Sequence, residues 1–267
     1  MIMKYSNYLS GFFLLIFITL VFYNNMMSQN LHLYEKQYFI SGNDTLPYRI
    51  LYPVNFDPEH QWPVILFLHG SGERGNDNEK QLTHGASYFL DPQIRKNYPA
   101  VIIFPQCNAS DYWAKVRQTY NPDGTRNFDF LPDSTPTSAM QQLILFTQQL
   151  KKERWADTLH FYIAGLSMGG MGTFELIYRM PGTFRAAVPI CGGGNLETAA
   201  VIAKHTACYI FHGQDDDVVN PDYSVLMAKA IENASGEVVL TLFPDTGHNA
   251  WDKVFMEKQW LEWMMKK

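Results

Sequence analysis

Short, wholly apolar runs separated by polar turns recur through most of the chain. Each run holds four or five residues and ends at Gly, Pro or a polar turn, and the runs are residues 64–68, 101–104, 161–164, 187–190, 208–211 and 238–242. A strand that is apolar at every position is buried on both faces, as in a parallel sheet covered by helices. The pattern therefore predicts a buried, mostly parallel sheet.

Amphipathic segments with helix start signals lie between these runs. Thr135 and Pro136 are typical of a helix start, and an apolar stripe at helical spacing follows: Met140, Leu143, Ile144, Thr147 and Leu150. Asn220 and Pro221 repeat the start signal before a segment that ends near Asn233. Strands that alternate with helices predict right-handed βαβ units and a single α/β domain with a doubly wound sheet.

Residues 115–132 interrupt this alternation. They contain the turn signal Asn-Pro-Asp-Gly at residues 121–124, with Tyr120, Phe128 and Phe130 around it. Long loops in compact domains are often functional. Two interpretations therefore stay open, an ordered lip over a pocket and a plain connection.

The first thirty residues differ from the rest of the chain. A charged start leads into an apolar run over residues 11–23, and two asparagines follow. This order is typical of an export signal, with an uncleaved N-terminal anchor as the alternative. We expect residues 1–30 to be a signal or anchor and residues 31–267 to be the folded domain. The protein is then secreted or periplasmic, or is held at a membrane through this segment alone.

Charge and cysteine content narrow the classes of partner. The chain has 267 residues and a formal net charge of −5, which provides no basic surface for nucleic acid.

Of the three cysteines, Cys107, Cys191 and Cys208, at least one stays free, and a bridge between the first two remains open. Their spacing is not that of a zinc site. We expect no metal and no organic cofactor.

The segment Gly-Leu-Ser-Met-Gly at residues 165–169 carries the strongest chemical signal. It follows the apolar run at residues 161–164 and precedes a segment suited to a helix. Strand, tight turn and helix are the setting of a nucleophile elbow, in which the turn lifts the serine hydroxyl above the sheet. A glycine-rich turn with an incidental serine is the competing interpretation. We predict that Ser167 is a nucleophile.

A serine nucleophile needs a base and a carboxylate that orients the base. His248 follows the last apolar run, so we predict that it is the base. Three aspartates follow the preceding run, and we favour Asp216 over Asp215 and Asp217 as the acid. A calcium site is the competing interpretation of these aspartates, although the run lacks the ligand spacing of a calcium loop.

Acyl transfer also needs hydrogen-bond donors for the developing oxyanion. The first predicted donor is the backbone N–H of Met168, directly after the nucleophile. The second is expected from the glycine-rich loop at residues 69–75, and we assign it to the N–H of Ser71. His69 in the same loop is expected to form structural hydrogen bonds.

These motifs together resemble a known family. The segments F-L-H-G-S-G-E-R-G, G-L-S-M-G-G-M-G-T, P-I-C-G-G-G, H-G-Q-D-D-D-V-V and G-H-N-A-W-D are similar to those of bacterial α/β-hydrolases of the predicted-peptidase, phospholipase/carboxylesterase and dienelactone-hydrolase-like group. They are also similar to feruloyl and acetyl carbohydrate esterases. The resemblance spans residues 47–263, implies the α/β-hydrolase fold, and places the acid at Asp216. Asn220 stands where the family often has Pro.

The resemblance and the motifs together lead to an expected function. We expect residues 31–267 to be the catalytic domain of a carboxylesterase that forms an acyl-serine intermediate, acting on a small-molecule or oligosaccharide ester of acetyl or feruloyl type. A serine peptidase on short peptides is the alternative, and a non-catalytic binding protein is a third possibility. Trp113 and Trp251 either line a pocket for the substrate or pack in the core.

Overall fold

The computed structural model describes residues 31–131 and 135–267. The predicted export signal or anchor at residues 1–30 lies outside this part of the chain. Within the described ranges, no helix is both long enough and apolar enough to cross a membrane.

Ten strands and eight α-helices follow one another along the described ranges. The strands are β1 (Glu35–Ser41), β2 (Asp44–Leu51), β3 (Trp62–Leu68), β4 (Val101–Pro105), β5 (Val116–Tyr120), β6 (Arg126–Phe130), β7 (Ala156–Leu166), β8 (Ala186–Ile190), β9 (Ala207–Gly213) and β10 (Val238–Phe243). The helices are α1 (Ala86–Phe89), α2 (Pro92–Asn97), α3 (Ser138–Leu150), α4 (Met168–Arg179), α5 (Ala199–His205), α6 (Asp222–Asn233), α7 (Trp251–Met256) and α8 (Gln259–Met265).

Eight of the strands form one sheet in the order β1-β2-β4-β3-β7-β8-β9-β10. The pairs from β4 to β10 are parallel, and β1 and β2 add an antiparallel edge. Helices cover both faces of the sheet. The predicted mostly parallel sheet in a single α/β domain is therefore confirmed.

Strand β3 shows why the central runs are apolar at every position. Val64, Leu66 and Leu68 pack on one face, in the core that contains residues of α3 and α4. Ile65 and Phe67 pack on the other face, in the core that contains residues of α1, α7 and α8. All five side chains are fully buried. Alternate residues of a strand point to opposite faces, so a strand covered on both sides has no polar position.

Helix α3 begins later than the sequence predicts. Its N-cap is Thr137, whose side chain accepts a hydrogen bond from the backbone N–H of Met140, and the helix begins at Ser138. Thr135 and Pro136 therefore precede the helix. Sequence alone could not separate these two start signals, because a threonine stands at both positions.

Residues 116–130 form a β-hairpin, and this corrects the expectation of a long loop. Strands β5 and β6 pair with each other in a separate sheet, with Gly124 at a left-handed φ of +84° in the turn. Phe128 and Phe130 pack their rings against Tyr223 in the first turn of α6, with ring centroids 6.0 and 5.7 Å apart. The hairpin therefore covers one end of α6.

Candidate active site

Ser167 lies in the tight turn between β7 and α4 and has a left-handed φ of +54°. The glycines on either side make this turn possible. A Cβ on Gly169 would lie 2.0 Å from the carbonyl oxygen of Leu68, and one on Gly165 would lie 2.3 Å from the carbonyl oxygen of Gly169. Real Cβ atoms do not approach backbone that closely, so both positions need glycine.

Three predicted residues form one hydrogen-bonded chain at the carboxyl ends of three strands. His248 Nε2 lies 2.8 Å from Ser167 Oγ, and His248 Nδ1 lies 2.7 Å from Asp216 Oδ2. Ser167 follows β7, Asp216 follows β9 and His248 follows β10. Parallel strands end at the same edge of the sheet, so residues far apart in sequence meet there. Asp215 and Asp217 are exposed to solvent.

The Asp216 carboxylate accepts four hydrogen bonds. Oδ1 accepts from the backbone N–H groups of Val218 and Val219, and Oδ2 accepts from His212 as well as from His248. Burial would raise the pKa of Asp216, but the bonds from His212, His248 and Val219 outweigh it and hold the pKa well below its usual range. Asp216 is therefore ionised at neutral pH and fixes a proton on His248 Nδ1. His248 Nε2 is then free to accept the proton of Ser167 Oγ.

The two predicted oxyanion donors are each the first residue of a helical turn. Met168 begins α4, and Ser71 begins a 3-10 turn over Ser71–Glu73. The first N–H groups of a helix have no acceptor within the helix. A Cβ on Gly70 would lie 3.7 Å from Ser167 Cβ, so the Gly70–Ser71 peptide lies beside the nucleophile. The geometry is compatible with both predicted donors.

His69 holds the Gly70–Ser71 peptide in place. Its Nε2 accepts a hydrogen bond from the backbone N–H of Cys107 at 2.9 Å, so Nδ1 carries the proton and donates to the Gly70 carbonyl at 2.6 Å. Burial lowers the pKa of His69 to about 4, so the ring is neutral. Because the N–H and C=O of a trans peptide point in opposite directions, the N–H of Ser71 points away from His69.

The two predicted substrate-binding tryptophans lie in different environments. The ring of Trp251 is partly exposed and packs edge-on against His248, with centroids 5.2 Å apart. Trp113 has no exposed surface and packs against Gly172 and against the ring of His69. We therefore correct the pocket interpretation of Trp113, because its indole is a core residue. A substrate-binding role for Trp251 remains a prediction.

The three cysteines are free and buried, so the open question of a Cys107–Cys191 bridge is answered. Cys191 lies next to the candidate site, with Sγ, a carboxylate oxygen of Asp216 and a ring nitrogen of His248 all within 4.8 Å of one another. Burial is the main cause that raises the pKa of the Cys191 thiol to about 12. A protonated thiol is a poor metal ligand, and the Asp216 carboxylate and the His248 ring already form a hydrogen bond with each other. These three groups are therefore poorly suited to bind a metal ion.

Sequence reasoning missed His212 as part of the site. This residue lies four positions before Asp216, and its Nε2 is 3.0 Å from Asp216 Oδ2. The available signal was its place near the carboxyl end of β9, where a side chain can reach the loop that carries the acid. The sequence alone does not show that this side chain reaches the carboxylate of Asp216.

Comparison with known proteins gives a curated relative that is larger than this chain. The bifunctional acetylxylan esterase/xylanase XynS20E of Neocallimastix patriciarum is 27% identical over 168 residues, which are 63% of this chain and 21% of the relative. The chain therefore matches about a fifth of the length of that protein.

Among solved structures, a thermostable esterase is 28% identical with a TM-score of 0.78, and the match covers 89% of this chain and 64% of that one. A ferulic acid esterase is 17% identical with a TM-score of 0.63, covering 87% and 96%. Peptidases that are 14% and 17% identical share the fold too. The likeness to the ferulic acid esterase and to the peptidases, at 17% identity or less, shows the fold alone.

The family assignment comes from the sequence itself. The profile of the phospholipase/carboxylesterase family matches residues 54–260, which include Ser167, Asp216 and His248. This range covers most of the domain described above. The chain therefore belongs to the phospholipase/carboxylesterase family of α/β-hydrolases.

Proposed function

We propose that the protein is a carboxylesterase that hydrolyses acetyl- or feruloyl-type esters of carbohydrate through an acyl-serine intermediate. The observation that carries this proposal is the chain of hydrogen bonds from Ser167 through His248 to the buried Asp216. The family supports ester hydrolysis. The name of the curated relative, an acetylxylan esterase/xylanase, supports the substrate class, and the similar thermostable esterase supports ester hydrolysis.

In the acylation step, Ser167 Oγ attacks the ester carbonyl carbon while its proton moves to His248 Nε2. The carbonyl oxygen becomes an oxyanion and accepts hydrogen bonds from the N–H groups of Met168 and Ser71. The bond from the carbon to the alkoxy oxygen then breaks. The leaving alcohol takes the proton from His248, and the acyl group stays on Ser167.

In the deacylation step, water replaces the alcohol. His248 removes a proton from the water molecule, the hydroxide oxygen attacks the acyl carbon, and a second tetrahedral oxyanion uses the same two N–H donors. The bond to Ser167 Oγ breaks as His248 returns the proton to it. The acid is released, and the free enzyme is restored.

The first experiment measures turnover of a substrate panel by the full chain and by Ser167→Ala. The panel contains p-nitrophenyl acetate, methyl ferulate, an acetylated xylan fragment and an aminoacyl-nitroanilide. We expect ester cleavage that is lost in the variant, and the ratio of ferulate to acetate turnover would identify the acyl group. Cleavage of the anilide alone would favour the peptidase alternative. No turnover at all would favour a binding protein.

A second experiment tests the choice of acid among the three neighbouring aspartates. In Asp216→Asn, an amide replaces the carboxylate, whose Oδ2 accepts hydrogen bonds from two imidazoles. The amide has one oxygen and one NH₂ donor, so it cannot accept at both of its ends. His248 is then pushed towards the wrong tautomer, and kcat should fall by about 10⁴-fold. Asp217→Asn is the matched control, because Asp217 is exposed. Equal losses in the two variants would contradict the assignment.

We also propose that the protein acts outside the cytoplasm, with residues 1–30 as an export signal or an N-terminal anchor. The order of charged, apolar and polar residues supports this proposal. Fractionation of cells that express the full chain would test it. Retention in the cytoplasm would contradict export, and recovery with the membranes would favour the anchor.

A further inference from the structure

The carboxylate of Glu73 is largely buried beside the nucleophile, and the reaction described above gives it no role. Glu73 ends the 3-10 turn that Ser71 begins, and its side chain is only 14% exposed. His84 Nε2 lies 3.8 Å from Glu73 Oε1, which is close enough for an ion pair but too far for a hydrogen bond. Within residues 31–131 and 135–267, no group donates a hydrogen bond to this carboxylate.

Other carboxylates with little exposure are satisfied by the chain itself. Glu175, with 9% of its side chain exposed, accepts hydrogen bonds from a backbone N–H and from an arginine, and Asp216 accepts four. Arg74 follows Glu73 directly, yet its guanidinium donates to two backbone carbonyl oxygens instead. A largely buried carboxylate needs donors. Those for Glu73 are not in the described part of the chain, and a bound molecule can supply them.

Gly70 brings the Glu73 carboxylate close to Ser167. A Cβ on Gly70 would lie 3.0 Å from Glu73 Oε2 and 3.7 Å from Ser167 Cβ. Both atoms therefore border the space that a side chain on Gly70 would fill. A molecule bound to Ser167 lies within reach of this carboxylate.

Two partly exposed rings connect Glu73 to the base of the triad. The ring of Trp251 lies 5.2 Å from that of His248 and 5.5 Å from that of His84, measured between centroids. His84 in turn faces Glu73. The contacts therefore run from His248 through Trp251 and His84 to Glu73, and Glu73 lies beside Ser167 again. These side chains surround one side of the catalytic centre.

The chemistry of acylation shows which part of an ester lies on this side. The leaving alcohol takes its proton from His248 Nε2, so it must lie against the ring that Trp251 contacts. In an ester of carbohydrate that alcohol is a sugar, which carries further hydroxyls near the ester. The α-ammonium of an aminoacyl substrate belongs instead to the acyl part, which stays on Ser167.

We propose that Glu73, His84 and Trp251 form a subsite for the sugar that leaves as the alcohol. The Glu73 carboxylate accepts hydrogen bonds from sugar hydroxyls beside the ester, and the Trp251 indole packs against the C–H face of the same sugar. The ring nitrogens of His84 can donate to or accept from a further hydroxyl. This inference rests on the proposed esterase function and extends it to the recognition of the alcohol.

Three variants of the full chain separate sugar binding from support of the loop. Glu73→Ala removes the acceptor, and Glu73→Gln keeps the length of the side chain and one carbonyl acceptor. Glu79→Ala is the matched control, because Glu79 lies six residues later, is exposed and pairs with Lys36. Thermal stability is measured for each variant.

The first readout is kcat/KM for an acetylated xylan fragment and for p-nitrophenyl acetate. With the fragment we expect a fall of about 10- to 100-fold in Glu73→Ala, the effect of losing hydrogen bonds to a charged group. The fall should be much smaller with p-nitrophenyl acetate, whose alcohol has no further hydroxyl. Glu73→Gln should lie between Glu73→Ala and the wild type, and Glu79→Ala should match the wild type. Equal losses on both substrates in Glu73→Ala would show that Glu73 only supports the loop and would overturn the proposal.

The second readout is calorimetric binding of the deacetylated xylan fragment, which needs no turnover. It compares Ser167→Ala with the double variant Ser167→Ala/Glu73→Ala. We expect Kd to rise about tenfold or more in the double variant. If wild type cleaves no ester but this difference in Kd remains, the esterase function fails and the sugar subsite stands. Equal affinities, or no binding to either variant, would overturn the subsite. So would a loss in Glu73→Ala that is confined to the aminoacyl-nitroanilide, because the carboxylate would then bind an ammonium group.

Discussion

Replacement of Ser71 by proline would test the second oxyanion donor without disturbing the nucleophile. The proposed donor is the backbone N–H of Ser71, which proline lacks. The structure is suited to this change, because Ser71 is the first residue of its 3-10 turn and Gly70 before it has the extended ψ of 179°. Proline is accepted at the start of a helical turn, and it requires an extended residue before it.

The size of the effect follows from the number of donors. Two N–H groups are proposed to bind the oxyanion, and the loss of one such donor lowers kcat by about 10²–10³-fold, or about 2.7–4 kcal/mol. The pyrrolidine ring would also stand where the N–H pointed. Loss of the N–H by itself acts mainly on kcat, because the charge develops only in the transition state. Any crowding of the ester by the ring would raise KM instead, so the two parameters separate the two effects.

The assay is steady-state hydrolysis of p-nitrophenyl acetate, with kcat and KM determined separately. Ser71→Ala is the matched control, because it removes the hydroxyl and keeps the N–H. We expect Ser71→Ala to remain close to wild type. If Ser71→Pro folds with unchanged thermal stability and kcat falls by less than about fivefold, the N–H of Ser71 is not an oxyanion donor.

Three further predictions concern stability and reactivity. Burial lowers the pKa of His69 from 6.5 to about 4 in the folded protein. As the pH falls, the unfolded chain therefore takes up a proton at this residue before the folded protein does. The free energy of unfolding should then be about 2 kcal/mol lower at pH 5 than at pH 7.5. Denaturant titration of His69→Gln should show a smaller difference. Gly169→Ala should prevent folding or lower the melting temperature sharply, because its Cβ would lie 2.0 Å from the carbonyl oxygen of Leu68. Gly72→Ala should change the melting temperature little, because a Cβ at residue 72 meets no atom within 4 Å. A thiol reagent should label the native protein slowly and the unfolded protein fully, at Cys107, Cys191 and Cys208.

Sequence was sufficient where one local pattern determines one local structure. The run at residues 161–164 and the flanking glycines specify a buried strand and a turn that larger side chains cannot enter, and the structure has both at Ser167. The position of Asp216 was predictable because parallel strands bring their carboxyl ends together. What remained open was which of three aspartates is buried, and that depends on contacts with His212, Val218 and Val219.

Sequence was insufficient where two distant segments decide the outcome together. Trp113 follows polar residues in a loop, and nothing local shows that the missing side chain of Gly172 leaves room for its indole in the core. The hairpin over residues 116–130 depends on Tyr223, about a hundred residues later, whose hydroxyl accepts a hydrogen bond from the N–H of Phe128. Pairs of this kind appear only when the chain is folded.

The left-handed φ of Ser167 has a consequence for how this protein tolerates change. A non-glycine residue in an unfavourable backbone region stores about 1–3 kcal/mol of strain. Glycine would relieve it, so Ser167→Gly should give a protein that is inactive yet more stable than the wild type or Ser167→Ala. Stability and activity therefore impose opposite demands at this one position. A screen of variants for thermal tolerance alone would favour loss of the nucleophile.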